Sequence, residues 1–221
     1  MRSRILDIET AALDEAIEWL EEEPIHAPAN YKDEAKKAEY IAKAEAERLE
    51  KMALDPDTAR IVALGWHDIG SEPIVHLCSN EFEEREGLKL FWESFVQQET
   101  RIIGFNTHGF DLPAIVTRSI WLDVYHPHIC FSPEWKSYPH VDLFQKLGLN
   151  GARKNVKRLR FYARRCKLPI YDDITGKDVA ALVKDGSREA WEKIYNHCLS
   201  DLTLTQALAE RLKVLPKTAV A

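Results

Sequence analysis

The stretch Ile5-Leu-Asp-Ile-Glu-Thr10 alternates apolar and acidic side chains near the start of the chain. As a β-strand, it places Ile5, Asp7 and Glu9 on one face and the intervening leucine and isoleucine on the other. Two carboxylates about 6.5 to 7 Å apart leave room for a hard cation, and without one their like charges repel each other. The alternative is a solvated strand face, because the same spacing recurs in this chain at residues 45/47, 55/57 and 81/83.

Bulk composition is that of an ordinary globular protein. The 221 residues are 45% apolar and 30% charged, with a net charge of −6, and the length favours one domain. No apolar run reaches the roughly 18 to 20 residues of a membrane span, and the first strand leaves no room for a signal peptide. We therefore expect a cytoplasmic protein without a membrane partner. The four cysteines form no Cys-x-x-Cys pair, which argues against a zinc knuckle or a disulfide scaffold.

Hydrophobic periodicity divides the chain into strands and helices. It predicts strands over residues 5–9, 59–69, 73–78, 101–106 and 140–144. It predicts helices over residues 13–20, 33–52, 84–98, 112–122, 155–167, 177–184 and 187–212, with an irregular loop over 125–139. The order predicts a mixed α/β fold in a single domain, residues 1–221, with a helical insertion over residues 11–56 after the first strand.

Polar residues follow the predicted strand 101–106. Asn106 ends that strand, and Asp111 follows five residues later behind Phe110. Polar residues just past the end of a core strand are well placed to face a cleft. The alternative for Asp111 is an N-cap of the helix that starts at Leu112.

A third acidic segment lies in the last helix. His197 and Asp201 are four residues apart, which puts both side chains on one helix face. On its own, this spacing also fits an ordinary surface pair.

Taken together, these segments resemble the three exonuclease motifs of the DEDD (DnaQ-like) family of 3′-to-5′ exonucleases, with Asp7, Glu9, Asp111 and Asp201 as its four acids. The resemblance is greatest to stand-alone relatives of the family-B DNA polymerase proofreading domain, and it covers roughly residues 1–10 and 57–212. It implies a ribonuclease-H-like fold, with a mixed five-stranded sheet flanked by helices.

The resemblance also implies a reaction. The protein would hydrolyse phosphodiester bonds from the 3′ end, releasing nucleoside 5′-monophosphates with two divalent ions, Mg²⁺ or Mn²⁺. By analogy, Asp7 would bridge both ions, Glu9 and Asp201 would hold the ion that activates water, and Asp111 would support the other. Single-stranded DNA is the expected substrate, and a separate polymerase is a possible partner. The alternatives are RNA trimming and a non-catalytic nucleic-acid-binding module of the same fold.

The residue that serves the attacking water departs from the family pattern. One branch of the family has Tyr four positions before the last Asp, and the other has His five positions before it. Here His197 stands at the Tyr spacing, Asn196 stands at the His spacing, and Tyr195 lies about 240° around the helix from Asp201. We assign the role to His197, whose imidazole can accept a proton near neutral pH, with Tyr195 as the alternative.

Substrate contacts are predicted on two segments. Residues 153–167 contain eight cations, of which Lys157, Arg160 and Arg164 would share one helix face and follow a phosphate backbone. The alternative is a solvated face balanced by the acidic segment 81–86. Beside the acidic motifs, the residues expected near substrate are Thr10, Asn106, His108 and Phe110. The insertion is interpreted as a charge-balanced solvent face, with a flap over the cleft as its alternative.

Overall fold

A mixed five-stranded sheet forms the centre of the protein, with strand order β3-β2-β1-β4-β5. The computed structural model describes residues 2–20, 24–95, 100–127 and 140–215. The β1–β2 and β2–β3 pairs are antiparallel, and the β1–β4 and β4–β5 pairs are parallel. The strands are β1 Arg2–Ala12, β2 Ala59–Asp68, β3 Ile74–Leu77, β4 Thr100–Gly104 and β5 Val141–Asp142. The predicted mixed sheet and the antiparallel hairpin of its second and third strands are confirmed.

Helices cover both faces of this sheet. They are α1 Asp14–Leu20, α2 Glu34–Ala53, α3 Glu81–Glu93, α4 Asp111–Trp121, α5 Leu143–Leu147, α6 Leu159–Arg165, α7 Gly176–Asp185 and α8 Arg188–Arg211. The alternation within β1 explains this arrangement. Leu6 packs into a cluster with residues of α3 and α4, whereas Ile5 packs with residues of α6 and α8. A strand with apolar side chains on both faces belongs in the middle of a covered sheet.

Helix α8 approaches the sheet closely at Gly65 of β2. A Cβ atom at this position would lie 2.5 Å from Sγ of Cys198 and 3.0 Å from Cδ1 of Leu202. The absence of a side chain at Gly65 therefore allows α8 to lie against the sheet. This contact matters for function because α8 carries His197 and Asp201.

The helical insertion is attached at its C-terminal end. Asp33 caps α2, as the predicted start at residue 33 suggested, but only Met52 and Ala53 of the helix are buried. The hydroxyl of Thr10 donates a 2.6 Å hydrogen bond to the carbonyl of Ala53. Strand β1 continues to Ala12, so the predicted start of the helical insertion at residue 11 was too early.

The basic helix is shorter than periodicity predicted. It begins at Leu159 rather than at residue 155, because the preceding segment makes other contacts. The backbone N–H of Lys157 donates to the Tyr162 hydroxyl at 3.1 Å, and Arg158 has the extended conformation of a cap residue. Lys157 therefore lies outside α6, and the prediction that it shares a helix face with Arg160 and Arg164 was wrong.

Other boundaries differ by a few residues. Helix α3 begins earlier, at Glu81 after its Asn80 cap, and α5 was not predicted. The predicted loop 125–139 falls for the most part outside the described residues, at 128–139. In the part of the chain that the structure describes, no helix is both long and apolar enough to cross a membrane.

Candidate active site

The four predicted acids come from three elements that meet near the middle of the sheet. Asp7 and Glu9 lie on β1, Asp111 begins α4, and Asp201 lies on α8. Burial raises the pKa of Asp7 well above its usual value, and the charges of Glu9, Asp201 and Asp111 raise it further. Charges act on one another's pKa in this way when they lie close together, so the four carboxylates are neighbours. The fold thus brings together groups that are up to 194 residues apart in sequence (Asp7 to Asp201, 201 − 7).

Asp111 is not the cap of its helix. Helix α4 starts at Asp111 itself, and Phe110 precedes it as a cap residue that makes no side-chain hydrogen bond. Burial raises the pKa of Asp111 to about 7, and the charge of Asp142 adds to this, whereas hydrogen bonds from its own backbone and from the backbone of Ile8 lower it. Asp111 is therefore the first residue of α4 rather than its cap residue, and its carboxylate contacts both its own backbone at the helix start and the backbone of Ile8 on β1.

The loop between β4 and α4 has a tight conformation that sets the position of Asp111. Asn106 adopts a left-handed backbone conformation with φ of 65°, and a Cβ at Gly109 would lie 2.6 Å from Oδ1 of Asn106. The carboxylate of Asp142 accepts hydrogen bonds from the backbone N–H groups of Asn106 at 2.9 Å and His108 at 3.1 Å. Asp142, at the end of β5, thus holds this loop in place.

Sequence reasoning missed Asp142. A usable signal existed, since Asp142 lies within the predicted short strand 140–144, and a polar residue at a strand end was the clue that pointed to Asn106.

His197 is directed into the acidic group. Its Nε2 atom lies 3.4 Å from Oε1 of Glu9, and its side chain is only 4% exposed. One ligand atom from each of Glu9, His197 and Asp201 can be chosen so that all three lie within 4.8 Å of one another. Tyr195, two residues earlier, lies about 200° around the helix from His197 and points elsewhere. The geometry favours His197 over Tyr195 as the residue of α8 that faces the acids.

A second acid contacts the other side of the His197 ring. Oδ2 of Asp172 lies 2.6 Å from Nδ1 of His197. The guanidinium of Arg160 forms an ion pair with the Asp172 carboxylate and donates a 3.2 Å hydrogen bond to the Asp172 backbone carbonyl. Sequence reasoning missed Asp172, because it lies in a loop without periodicity between α6 and α7, and only the tertiary fold places it beside α8.

The electrostatics of the group favour a bound cation. Burial raises the pKa of Glu9 well above its usual value, with the charges of Asp201 and Asp111 adding to the effect and Arg160 opposing it. Oδ2 of Asp7 and Oδ1 of Asp201 are buried and have no hydrogen-bond partner. Carboxylate oxygens without partners, held close together, are suitable ligands for Mg²⁺ or Mn²⁺, and a divalent ion would offset their repulsion. The residues therefore fit a divalent metal site.

The residues predicted to contact substrate have mixed surroundings. The Thr10 side chain is buried and its hydroxyl anchors α2, and Phe110 packs partly against the core. Lys157 and Arg164 are exposed, whereas Arg160 turns inward to Asp172. The acidic segment 81–86 has partners of its own, Glu84 with Arg118 and Glu86 with Lys89, so these two acids are not available to balance the basic segment. The substrate assignments themselves stay predictions.

Comparison with known proteins places these observations in a family. Residues 57–217 match the family described as predicted 3′-5′ exonucleases related to the exonuclease domain of PolB. No curated protein matches the chain.

Among solved structures, the chain is similar to the family B DNA polymerase from the hyperthermophilic archaeon Pyrobaculum calidifontis, with a TM-score of 0.60 and 18% identity. The alignment covers 96% of this chain and 24% of the polymerase, so this chain spans about a quarter of the polymerase's length. At this identity the likeness supports the fold. The family match extends over most of the chain, and the protein therefore belongs to the family of predicted 3′-5′ exonucleases related to the exonuclease domain of PolB.

Proposed function

We propose that this protein is a metal-dependent exonuclease that removes nucleoside 5′-monophosphates from the 3′ end of single-stranded DNA. The observation that carries the proposal is the convergence of Asp7, Glu9, Asp111 and Asp201, with the buried and unpartnered oxygens of Asp7 and Asp201 among them. A stable fold gains nothing from four neighbouring acids with buried carboxylate oxygens, because each desolvated charge raises the cost of the others. Their retention fits a site whose charge is balanced by bound ions.

The four acids would hold two divalent ions. When bound, such ions activate water and stabilise the charge that develops on the phosphate and on the leaving oxygen. By analogy with the family, Asp7 would contact both ions, Glu9 and Asp201 one of them, and Asp111 the other. Ligand atoms of Glu9 and Asp201 lie within 4.8 Å of each other, together with one of His197, which supports the assignment of Glu9 and Asp201 to the same ion.

His197 would position the attacking water and accept its proton. Burial lowers the pKa of His197, the charges of Asp201 and Asp178 oppose this effect, and the charge of Arg160 adds to it; the net lowering favours a neutral ring near pH 7. A neutral ring can take a proton, as a general base must. The water oxygen would attack the phosphorus of the last phosphodiester bond, and the bond from phosphorus to the 3′ oxygen of the preceding nucleotide would break.

The exposed cations of residues 153–167 would bind the strand near this site. They include Lys157 and Arg164, and the same segment leads into the site through Arg160. Contacts between cations and phosphates supply affinity without reading sequence. This agrees with an enzyme that removes nucleotides irrespective of base.

The proposal is tested with 5′-labelled single-stranded DNA and RNA of one sequence, incubated with Mg²⁺, with Mn²⁺ or with a chelator. We expect DNA to shorten stepwise from its 3′ end, with free nucleoside 5′-monophosphate as product, and no shortening with the chelator. Asp7→Asn should reduce the rate to background because it removes a ligand of both ions. Glu45→Gln, which changes an exposed acid of the same pair spacing on α2, is the matched control and should keep the wild-type rate.

Two outcomes would change the assignment. Faster shortening of RNA than of DNA would favour the RNA-trimming alternative. If the protein bound DNA or RNA but cleaved neither under any metal condition, the proposed enzymatic activity would be wrong and a nucleic-acid-binding module would be favoured.

A further inference from the structure

The ring of His197 lies between two acids in a chain of polar contacts. Its Nδ1 atom is 2.6 Å from Oδ2 of Asp172, and its Nε2 atom faces Glu9 at 3.4 Å. The side chains of both histidine and Asp172 are nearly buried, at 4% and 6% exposure. A buried polar contact of this length is held in one geometry, because the neighbouring packing leaves the ring little room to turn.

The Asp172 oxygen lies 2.6 Å from the ring and the Glu9 oxygen 3.4 Å, so the closer contact with Asp172 decides which nitrogen of a neutral ring carries hydrogen. An ionised carboxylate can only accept a hydrogen bond, so Nδ1 must donate. In a neutral ring the Nε2 atom then carries a free lone pair, and that atom is the one directed at the acidic group. The arrangement thus presents an acceptor, rather than a donor, to whatever occupies the space beside Glu9.

Arg160 places a cation against the Asp172 carboxylate. Its guanidinium contacts both the side chain and the backbone carbonyl of Asp172, and its own side chain is 19% exposed. A carboxylate at this depth without a cationic partner would tend to bind a proton and could then turn from acceptor to donor. The Arg160 contact therefore pairs a cation with the carboxylate that faces Nδ1 of His197 and ties that carboxylate in place.

We propose that Asp172 and Arg160 are positioning residues, which hold His197 in the tautomer with hydrogen on Nδ1 and aim its Nε2 atom at the Glu9–Asp201 group. The inference rests on the proposed function, since it gives that orientation a use in phosphodiester hydrolysis. The rival explanation is purely structural: Asp172 would only tether the loop between α6 and α7 to α8. The two explanations differ in what happens to the ring when Asp172 loses its charge but keeps its size.

The first test reads the ring directly in the metal-free protein by ¹⁵N–¹H correlation NMR at a pH where His197 is neutral. The chain has eight histidines, so His197→Gln identifies the signal. Wild type should show the hydrogen on Nδ1. In Asp172→Asn the amide can donate to Nδ1, so we expect the hydrogen to move partly or wholly to Nε2. Asp173→Asn, which changes the exposed neighbouring acid, should leave the signal as in wild type.

The second test measures kcat and KM on single-stranded DNA. Asp172→Asn should lower kcat by about 10- to 10⁴-fold, the range lost when a carboxylate behind a functional histidine is replaced, while KM stays close to wild type. Arg160→Lys keeps the charge but loses the two-point contact, and it should lower kcat less than Arg160→Met does. Asp173→Asn should match wild type in both constants.

The results separate this inference from the proposed function. An unchanged tautomer in Asp172→Asn would overturn the inference, as would a loss of kcat accompanied by an unchanged ring signal and a lower midpoint of thermal unfolding. If the wild-type protein degraded no nucleic acid, the proposed function would fail, whereas the NMR measurement would still decide whether Asp172 sets the tautomer.

Discussion

The Nε2 atom of His197 on α8 lies 3.4 Å from Oε1 of Glu9 on β1. This contact links the last helix to the first strand, and it places a histidine where one branch of the wider family has a tyrosine. We expect His197→Ala to lower kcat by about 10²- to 10⁴-fold, the range lost with a general base. Tyr195→Phe should stay close to the wild-type rate, because Tyr195 faces away from Glu9. Single-turnover hydrolysis of labelled DNA measures both, and the reverse ranking would transfer the role to Tyr195.

The acidic group should cost the metal-free protein stability. The pKa of Asp7 is raised in the folded state, so its charged form at neutral pH favours unfolding. Asp7→Asn removes that charge at nearly constant size. We expect the free energy of unfolding of the metal-free variant to exceed that of wild type by about 1 kcal/mol or more. The variant should therefore unfold at a higher temperature.

Added Mn²⁺ provides the control for this prediction. It should raise the unfolding midpoint of wild type and of Glu45→Gln, but raise that of Asp7→Asn much less, because binding to the folded state alone stabilises it. Differential scanning fluorimetry measures these unfolding midpoints. If Mn²⁺ shifted the midpoints of wild type and Asp7→Asn equally, Asp7 would not be a ligand.

His140 predicts how stability depends on pH. Its Nδ1 atom accepts a 3.1 Å hydrogen bond from the backbone N–H of Ile102, and burial, with a smaller effect of the His108 charge, lowers its pKa to about 4. In the unfolded chain His140 binds a proton near pH 6.5, whereas in the folded chain it binds one only at lower pH. The contribution of His140 to the free energy of unfolding is therefore constant above about pH 6.5 and decreases as the pH falls toward 4.

His140→Gln keeps an acceptor but does not titrate. Urea unfolding of both proteins at pH 7.5, 6 and 5 should show that wild type loses on the order of 1 to 2 kcal/mol more than the variant over this range. Parallel pH profiles of the two proteins would contradict the assigned pKa. The active-site carboxylates titrate in both proteins, so their effect cancels in the difference between the two pH profiles.

Gly65 should be sensitive to the smallest added side chain. In Gly65→Ala the new methyl group would overlap Cys198, since its position is 2.5 Å from Sγ. Displacing α8 should lower stability by about 1 to 3 kcal/mol and also lower activity, because His197 and Asp201 would move with the helix. Cys198→Ala in the same chain removes the overlapping sulfur and should recover part of both losses, measurable as a coupling free energy. Additive losses in the double variant would place the strain elsewhere.

Sequence patterns predicted the scaffold well where they depended on local alternation. The alternation of apolar and acidic residues in β1 predicted the common face of Asp7 and Glu9, and the four-residue spacing predicted the common face of His197 and Asp201. The structure adds the proximity of these faces, which comes from the close approach of α8 at Gly65.

Contacts made by irregular segments were beyond such patterns. Asp172 follows no period, and its partner Arg160 was assigned to a basic face that the late start of α6 breaks up. The side chain of Thr10 was assigned to substrate, but its position depends on where the insertion returns to β1. The positions of these residues depend on long-range packing, which local periodicity does not predict.

The central claim is that divalent ions held by Asp7 and its neighbouring acids contact the phosphate that is cleaved. The most direct measurement uses DNA in which sulfur replaces one non-bridging oxygen of the last phosphodiester, with each stereoisomer assayed separately. For at least one stereoisomer, we predict slow hydrolysis with Mg²⁺ and substantial recovery with Mn²⁺, because the softer ion accepts sulfur better. Equal slowing with both ions, for both stereoisomers, would contradict a contact between metal and the scissile phosphate.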